Sequence, residues 1–217
     1  MIRRALQRLR EVGPLEVARR VSVRAEAAVW NRVFVAQTEG GPSPGPEFPE
    51  SIAYEPLPWM LVRRSIGALE LQPHDVFLDY GCGMGRALLM AARAGPRRVI
   101  GVDLMEPLVE AARRNAVTSR SRIKSPIEVH AADAMTWQVP DDVTAVYLFN
   151  PFVGSVMAAV QARLLESLKR KPRAVRVLYA RVAKEQNLFA GLDWLRMDRT
   201  VDEGVFRDLR LELYVTR

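Results

Sequence analysis

One stretch constrains the fold of this chain more than any other. It reads VFLDYGCGMGRALLMAA over residues 76–92, a short apolar segment that meets three alternately spaced glycines and continues with a helical apolar pattern. This predicts a strand, a tight turn and a helix. Glycine has no Cβ and adopts positive φ, so such a turn lets a ligand approach the backbone and the free N–H groups of a helix start. We therefore expect a nucleotide-like cofactor site here.

The rest of the chain from Asp75 onward alternates between strand and helix patterns. The periodicity predicts strands at Val76–Tyr80, Arg98–Val102, Ile127–Ala131, Val143–Phe149 and Ala174–Ala180, and helices at Met84–Ala94, Glu106–Thr118 and Ser155–Leu168. Such alternation is typical of a parallel sheet covered by helices on both faces. Two further alternating segments, Trp194–Val201 and Arg207–Thr216, predict a final antiparallel hairpin.

The first 50 residues form a separate part of the predicted organisation. Two helical patterns meet at Gly13-Pro14, where Pro14 starts the second helix, and its apolar face is predicted to include Ala25 and Val29. A Pro/Gly-rich linker follows at residues 40–49. We predict a basic helical extension with its linker over residues 1–50 and one α/β domain over residues 51–217. The extension either docks on a membrane surface or a partner, or packs on the domain; we favour packing.

Composition narrows the classes of function. The net charge is +7, but eight arginines and three glutamates place +5 of it within residues 1–34, which argues against a nucleic-acid partner bound along the domain. No apolar run approaches the roughly 20 residues of a membrane span. The single cysteine and two histidines predict neither a disulfide nor a protein-bound metal, and fit a reducing cytoplasm. The use of 28 arginines against four lysines is typical of bacterial genomes rich in G and C.

One polar residue lies at or near the carboxyl end of each predicted parallel strand before the last. These are Asp79, Asp103, Asp133 and Asn150. Ligands of open α/β sheets bind beyond the carboxyl ends of the strands. Asp103 lies 18 residues after Gly85, close to the spacing of about 20 at which an acid meets a ribose diol. The glycines, however, follow G-x-G-x-G with an acid two residues earlier, a pattern that would repel a pyrophosphate and attract a cation.

These features together resemble the class I S-adenosylmethionine-dependent methyltransferases. The resemblance implies a seven-stranded, mostly parallel Rossmann-like sheet with a C-terminal antiparallel hairpin, and S-adenosylmethionine as the cofactor. It implies that the glycine turn wraps the methionine and ribose, with Asp79 near the ammonium group. It also implies that Asp103 holds the ribose, Leu104 packs on adenine, and Asp133 and Ala134 bind the adenine edge. The turn and cofactor candidates are Asp79, Gly81, Cys82, Gly83, Gly85, Asp103, Leu104, Asp133 and Ala134.

Cys82 is the one potential nucleophile in this set. A small side chain inside such a turn favours packing over chemistry. We therefore expect Cys82 to shape the turn.

The candidate catalytic residues are Asn150, Pro151 and Phe152. They resemble a shortened Asn-Pro-Pro-aromatic motif of methyltransferases that act on nitrogen, in which the Asn oxygen accepts a hydrogen bond from the acceptor NH; here one proline replaces two. Tyr54 and Trp59 are candidate substrate contacts, or alternatively pack their helix against the sheet.

Three functions are compatible with this sequence. The favoured one is methyl transfer to a nitrogen of a protein side chain or small amine. The alternatives are a methyltransferase for another acceptor such as a small-molecule hydroxyl, and a non-catalytic S-adenosylmethionine-binding module.

Overall fold

The computed structural model describes residues 14–41, 56–149, 151–182, 186–202 and 209–217. The helices are α1 (Pro14–Phe34), α2 (Trp59–Ala68), α3 (Arg86–Ala94), α4 (Glu106–Thr118) and α5 (Gly154–Arg170). The strands are β1 (Val76–Tyr80), β2 (Arg98–Asp103), β3 (Ile127–Ala131), β4 (Ala145–Phe149), β5 (Arg176–Val182), β6 (Leu195–Asp202) and β7 (Leu209–Thr216).

All of these strands join one sheet in the order β3-β2-β1-β4-β5-β7-β6. The neighbours from β3 to β5 pair in parallel, and β7 is antiparallel to both β5 and β6. The predicted seven-stranded, mostly parallel sheet with a C-terminal hairpin is confirmed. The strand order changes direction at β1, so the carboxyl ends of β1, β2 and β4 meet at a topological switch point, where open α/β sheets bind ligands.

The sheet is covered on both faces. All five residues of β1 are buried, which is the burial pattern of a parallel strand between two helical layers. One face packs against α2, α3 and α4 in a cluster that includes Trp59, Leu88 and Val109. The other face packs against α5 through Met157, Val160 and Leu164.

The conformation of the preceding residue sets where two of the helices begin, and α3 begins two residues later than predicted. Helix α3 begins at Arg86 because Gly85, its N-cap, still has a φ of +85° and belongs to the turn. Helix α2 begins at Trp59 because Pro58 has an extended conformation and acts as its N-cap.

Helix α1 starts at Pro14, as predicted, but two residues of its predicted apolar face are exposed. Val29 is 59% exposed and Ala25 is also exposed, whereas Phe34 is fully buried. Trp30 stacks on Phe34 at 5.8 Å between ring centroids, and Ala27 packs against the same cluster. Aromatic rings bury more area than alanine and valine, so they decide which face of the helix packs. No helix in the described ranges is long and apolar enough to cross a membrane.

Candidate functional site

The glycine turn between β1 and α3 adopts the conformation that its sequence demands. Gly81, Gly83 and Gly85 have φ values of +73°, +52° and +85°. The amides of Gly81 and Cys82 both donate to the carbonyl oxygen of Val102, at 2.8 and 3.1 Å. These bonds hold the turn against the end of β2. At the positive φ values of the three glycines, a residue with a Cβ would be strained.

Asp103, the last residue of β2, fixes the turn from the other side. Its Oδ2 accepts a hydrogen bond from the Gly83 amide at 2.8 Å, and its Oδ1 accepts one from the Met105 amide at 3.0 Å. Each carboxylate oxygen has a second lone pair, so Asp103 can still accept from a vicinal diol. The predicted ribose ligand therefore also organises the glycine turn.

Asp79 is an acid buried beside another acid. Its exposed fraction is 3%, and burial raises its pKa well above the usual range. The nearby charge of Asp103 raises the pKa further, and within the described part of the chain no basic group offsets these two effects. Burial also raises the pKa of Asp103, although its backbone hydrogen bonds lower it in part. Two carboxyl groups that destabilise each other's charge form a site that a bound cation would stabilise.

Two hydroxyl groups add to the polarity beneath Asp79. Tyr147 is the partner of Asp79 on β4, and its pKa is raised by burial and by the charge of Asp79. Ser65 on α2 is close enough to lower that pKa in part. Neither hydroxyl makes a hydrogen bond of normal geometry, although both are buried.

The residues predicted to bind adenine lie at the ends of β2 and β3, which are adjacent. The Ala132 amide donates to the Asp103 carbonyl oxygen at 2.9 Å. Asp133 is exposed, and its Oδ1 accepts from the Met135 amide at 2.8 Å. Ala134 is buried and Leu104 is half-buried. The structure thus brings Leu104, Asp133 and Ala134 to the same edge of the sheet as Asp103 and the glycine turn.

The stretch after β4 reaches the same edge. A Cβ built on Gly81 would lie 2.5 Å from the Cβ of Pro151, so Pro151 packs directly on the turn. Phe152 is buried and makes an edge contact with Tyr80, with the ring centroids 6.4 Å apart. Asn150 lies outside the described residues.

Cys82 is buried inside the turn, with its sulfur pointing toward Gly101. A Cβ on Gly101 would come within 2.9 Å of the Cys82 Sγ. Burial raises the pKa of the thiol well above its usual range, and the charges of Asp103 and Asp79 raise it further. The protonated thiol is a poor nucleophile, so these contacts support packing as the role of Cys82.

Trp59 does not line the site. It is fully buried and stacks on Phe34 at 5.2 Å between ring centroids. Of the two alternatives for Trp59, the structure shows packing of its helix. The prediction of Trp59 as a substrate contact is therefore wrong. The cause is the aromatic face of α1, which covers the Trp59 ring. Tyr54, the other candidate, lies outside the described residues.

Sequence reasoning missed two polar residues that lie against the turn. Arg86, the first residue of α3, and Asn115 on α4 are both only 6% exposed. Asn115 continues the buried face of α4 after Leu108, Val109 and Ala112. An amide at helical spacing on an otherwise apolar face was the signal that could have identified it.

Within the described ranges, no cluster of three His, Cys, Asp or Glu side chains could hold a metal ion.

Comparison with known proteins agrees with this geometry. Residues 77–173 match the family model described as a methyltransferase domain. A ribosomal protein L11 methyltransferase from Burkholderia mallei is 34% identical over 100 residues, which cover 42% of this chain and 29% of that protein. One from Burkholderia thailandensis is 30% identical over 141 residues, covering 64% and 41%. The matched part of the chain thus spans less than half the length of these relatives.

Two solved structures share the fold. An RNA methyltransferase from Salinibacter ruber in complex with S-adenosyl-L-homocysteine superposes with a TM-score of 0.59 at 23% identity, covering 75% of this chain and 94% of that one. A magnesium protoporphyrin IX methyltransferase from Synechocystis with bound S-adenosylmethionine gives 0.58 at 17% identity, covering 87% and 89%. Residues 77–173 thus match a methyltransferase domain, and the sheet topology of this chain is the fold of these two methyltransferases.

Proposed function

We propose that this chain binds S-adenosylmethionine and transfers its methyl group to a nitrogen atom of a protein side chain or small amine. The observation that carries the proposal is the contact between Pro151 and Gly81. It joins the glycine turn, which would hold the cofactor, to the Asn-Pro-Phe stretch, which would hold the acceptor.

The charge of the site supports this cofactor over an anionic dinucleotide. S-adenosylmethionine carries a positive ammonium group and a positive sulfonium, whereas buried Asp79 and half-buried Asp103 would repel a pyrophosphate. When bound, the cofactor supplies a methyl group already activated by the sulfonium charge. The protein's own tasks are then to align the acceptor and exclude water, so no strong acid or base is required.

The acceptor side is proposed from the position of Asn150 in the chain. It lies between Phe149, the last residue of β4, and Pro151, which packs on the turn. From there the Asn150 side-chain oxygen would accept a hydrogen bond from an NH group and direct the nitrogen lone pair toward the methyl. The buried Phe152 would anchor the stretch by packing on Tyr80.

The relatives widen the set of acceptors to be tested. Ribosomal protein L11 methyltransferase is named for a protein acceptor, in line with the proposal, whereas the Salinibacter ruber enzyme is named for RNA. The prediction that nucleic acid is not a partner is therefore not supported by these comparisons, and an RNA acceptor belongs in the screen. A cytoplasmic location and one domain over residues 51–217 remain predictions.

The first experiment is calorimetric titration of the full chain with S-adenosylmethionine and S-adenosylhomocysteine. We expect both to bind, and loss of a hydrogen-bond acceptor in Asp103→Ala should weaken both. No binding to the wild type contradicts the proposal as a whole.

The second experiment identifies the acceptor. Cofactor with a labelled methyl group is incubated with cell lysate fractionated into protein, nucleic acid and small molecules. Label in protein or amines supports the nitrogen proposal, label in RNA or in a hydroxyl compound replaces it, and binding without transfer to any fraction favours the non-catalytic alternative. With the acceptor found, Asn150→Ala should keep cofactor affinity and lose turnover; normal turnover contradicts the role of Asn150.

A further inference from the structure

The segment that follows α1, residues 36–39, is joined to the glycine turn and to the start of α3 by the side chains of Asn115 and Arg86, and we call it the strap. It begins where α1 is anchored: the Phe34 side chain is fully buried, and the Phe34 carbonyl oxygen accepts a hydrogen bond from the Ser119 hydroxyl. Thr38, within the strap, is also fully buried and donates to the Asn31 side chain at 2.9 Å. The chain is therefore packed into the domain by Phe34, just before the strap, and by Thr38 within it.

Asn115 joins the strap to the turn with a single side chain. Its Oδ1 accepts from the Gln37 amide at 2.9 Å, and its Nδ2 donates to the Gln37 carbonyl oxygen at 2.8 Å. The same Nδ2 donates to the carbonyl oxygen of Met84 at 2.9 Å. Met84 lies between the second and third glycines. Aspartate has no N–H donors and glutamine is one methylene longer, so neither reproduces these bonds.

Arg86 joins the strap to the start of α3. It donates to the Leu57 carbonyl oxygen at 2.7 Å and to the Thr38 hydroxyl at 2.8 Å, and it pairs with Glu39 at 2.6 Å. Its guanidinium lies 4.9 Å from the centre of the Trp59 ring.

The place of Arg86 makes these partners necessary. The first turn of a helix carries a partial positive charge, so a buried cation there is unfavourable unless its charge and N–H groups are compensated. The strap supplies the one carboxylate that pairs with Arg86 among the described residues. Without Glu39, Arg86 would lose this ion-pair partner beside the turn proposed to receive a cationic cofactor.

We infer that the strap is part of the cofactor-binding unit, and that Asn115, Arg86 and Glu39 are positioning residues that hold the glycine turn in its binding conformation. This inference depends on the proposed cofactor. It assigns the N-terminal helix a role in cofactor affinity, because α1 anchors the strap. By reciprocity, bound cofactor must stabilise the strap as much as the strap favours binding.

The test compares Glu39→Gln with Glu110→Gln in the full chain. The two glutamates are matched: their side chains are 56% and 57% exposed and each pairs with an arginine, but the partner of Glu39 is buried Arg86, and that of Glu110 is exposed Arg114. We expect Glu39→Gln to raise the dissociation constant for S-adenosylhomocysteine by about threefold to tenfold, and Glu110→Gln to leave it unchanged. Asn115→Asp should weaken binding by about tenfold or more.

A second measurement separates positioning from general stability. Hydrogen exchange of the strap amides, Gln37 in particular, should slow when S-adenosylhomocysteine is added to the wild type, and slow less in Glu39→Gln. Equal affinity of Glu39→Gln and the wild type, together with unchanged strap exchange, overturns the inference while leaving the proposed function intact. Failure of the wild type to bind overturns the proposed function and the inference with it.

Discussion

Replacing Gly81 with alanine tests the contact that joins the two halves of the site. The new Cβ would lie 2.5 Å from the Cβ of Pro151. Non-bonded carbon atoms normally approach to about 3.5–4.0 Å. Pro151 or the turn must therefore move by about 1 Å, and either movement changes the distance between the cofactor turn and the residues that follow β4.

The loss of stability has two parts. Alanine at the φ of +73° found for Gly81 is disfavoured by about 1–2 kcal/mol. Forcing an extra methyl group into the contact with Pro151 costs about 1–3 kcal/mol more. We expect Gly81→Ala to lower the free energy of unfolding by about 2–5 kcal/mol, the sum of these ranges.

Gly191→Ala provides the matched control. Gly191 has a φ of +81°, but nothing lies within 4 Å of its added Cβ. This variant should lose only the conformational part, about 1–2 kcal/mol. Denaturant unfolding measures both losses, and titration with S-adenosylhomocysteine should show weaker binding for Gly81→Ala alone.

A double-variant cycle then assigns the difference to Pro151. Pro151→Gly removes the Cβ that the new methyl group would meet, so it should be less harmful in the Gly81→Ala background than in the wild type. Equal losses for Gly81→Ala and Gly191→Ala, or additive effects of Gly81→Ala and Pro151→Gly, would refute the packing of Pro151 on the turn.

Two further predictions concern the charge and the thiol of the site. Because the pKa of Asp79 is raised in the folded state, the unliganded wild type should lose stability as the pH rises from the unfolded-state pKa of about 3.9 toward the folded-state pKa, by at most about 1.4 kcal/mol per pH unit from this group. In denaturant unfolding, Asp79→Asn should remove that part of the pH dependence and be more stable than the wild type at neutral pH. It should also bind S-adenosylmethionine more weakly. An unchanged pH profile contradicts the assignment of this pH dependence to Asp79. Cofactor affinity of the wild type should rise over the same pH window, since a bound cation favours the ionised carboxylate. Cys82 should react with a disulfide reagent at neutral pH only after unfolding, because its thiol is buried and its pKa is raised; rapid reaction of the native protein would reopen a nucleophilic role.

The sheet could be predicted from the sequence because its signals are local. The strands of residues 76–80 and 127–131 and the helix of residues 106–118 have the boundaries that the sequence predicts, because the local residue pattern specifies them. The polar strand ends were predictable for the same reason, as parallel strands deliver their carboxyl ends to one edge. Boundaries set by backbone conformation were not: the start of α3 at Arg86 depends on the left-handed Gly85.

The sequence by itself determined the class of fold, the glycine turn and the acids beside it, because each follows from residue type and spacing. The tertiary structure alone decided which residues distant in sequence contact one another around that turn and in the core. Pro151 meets Gly81, Trp59 turns into the core under Phe34, and Asn115 bonds to Gln37 across 78 positions of sequence. Such contacts depend on how helices and loops pack over the sheet, and packing is decided by the shape and buried area of side chains that are distant in the chain.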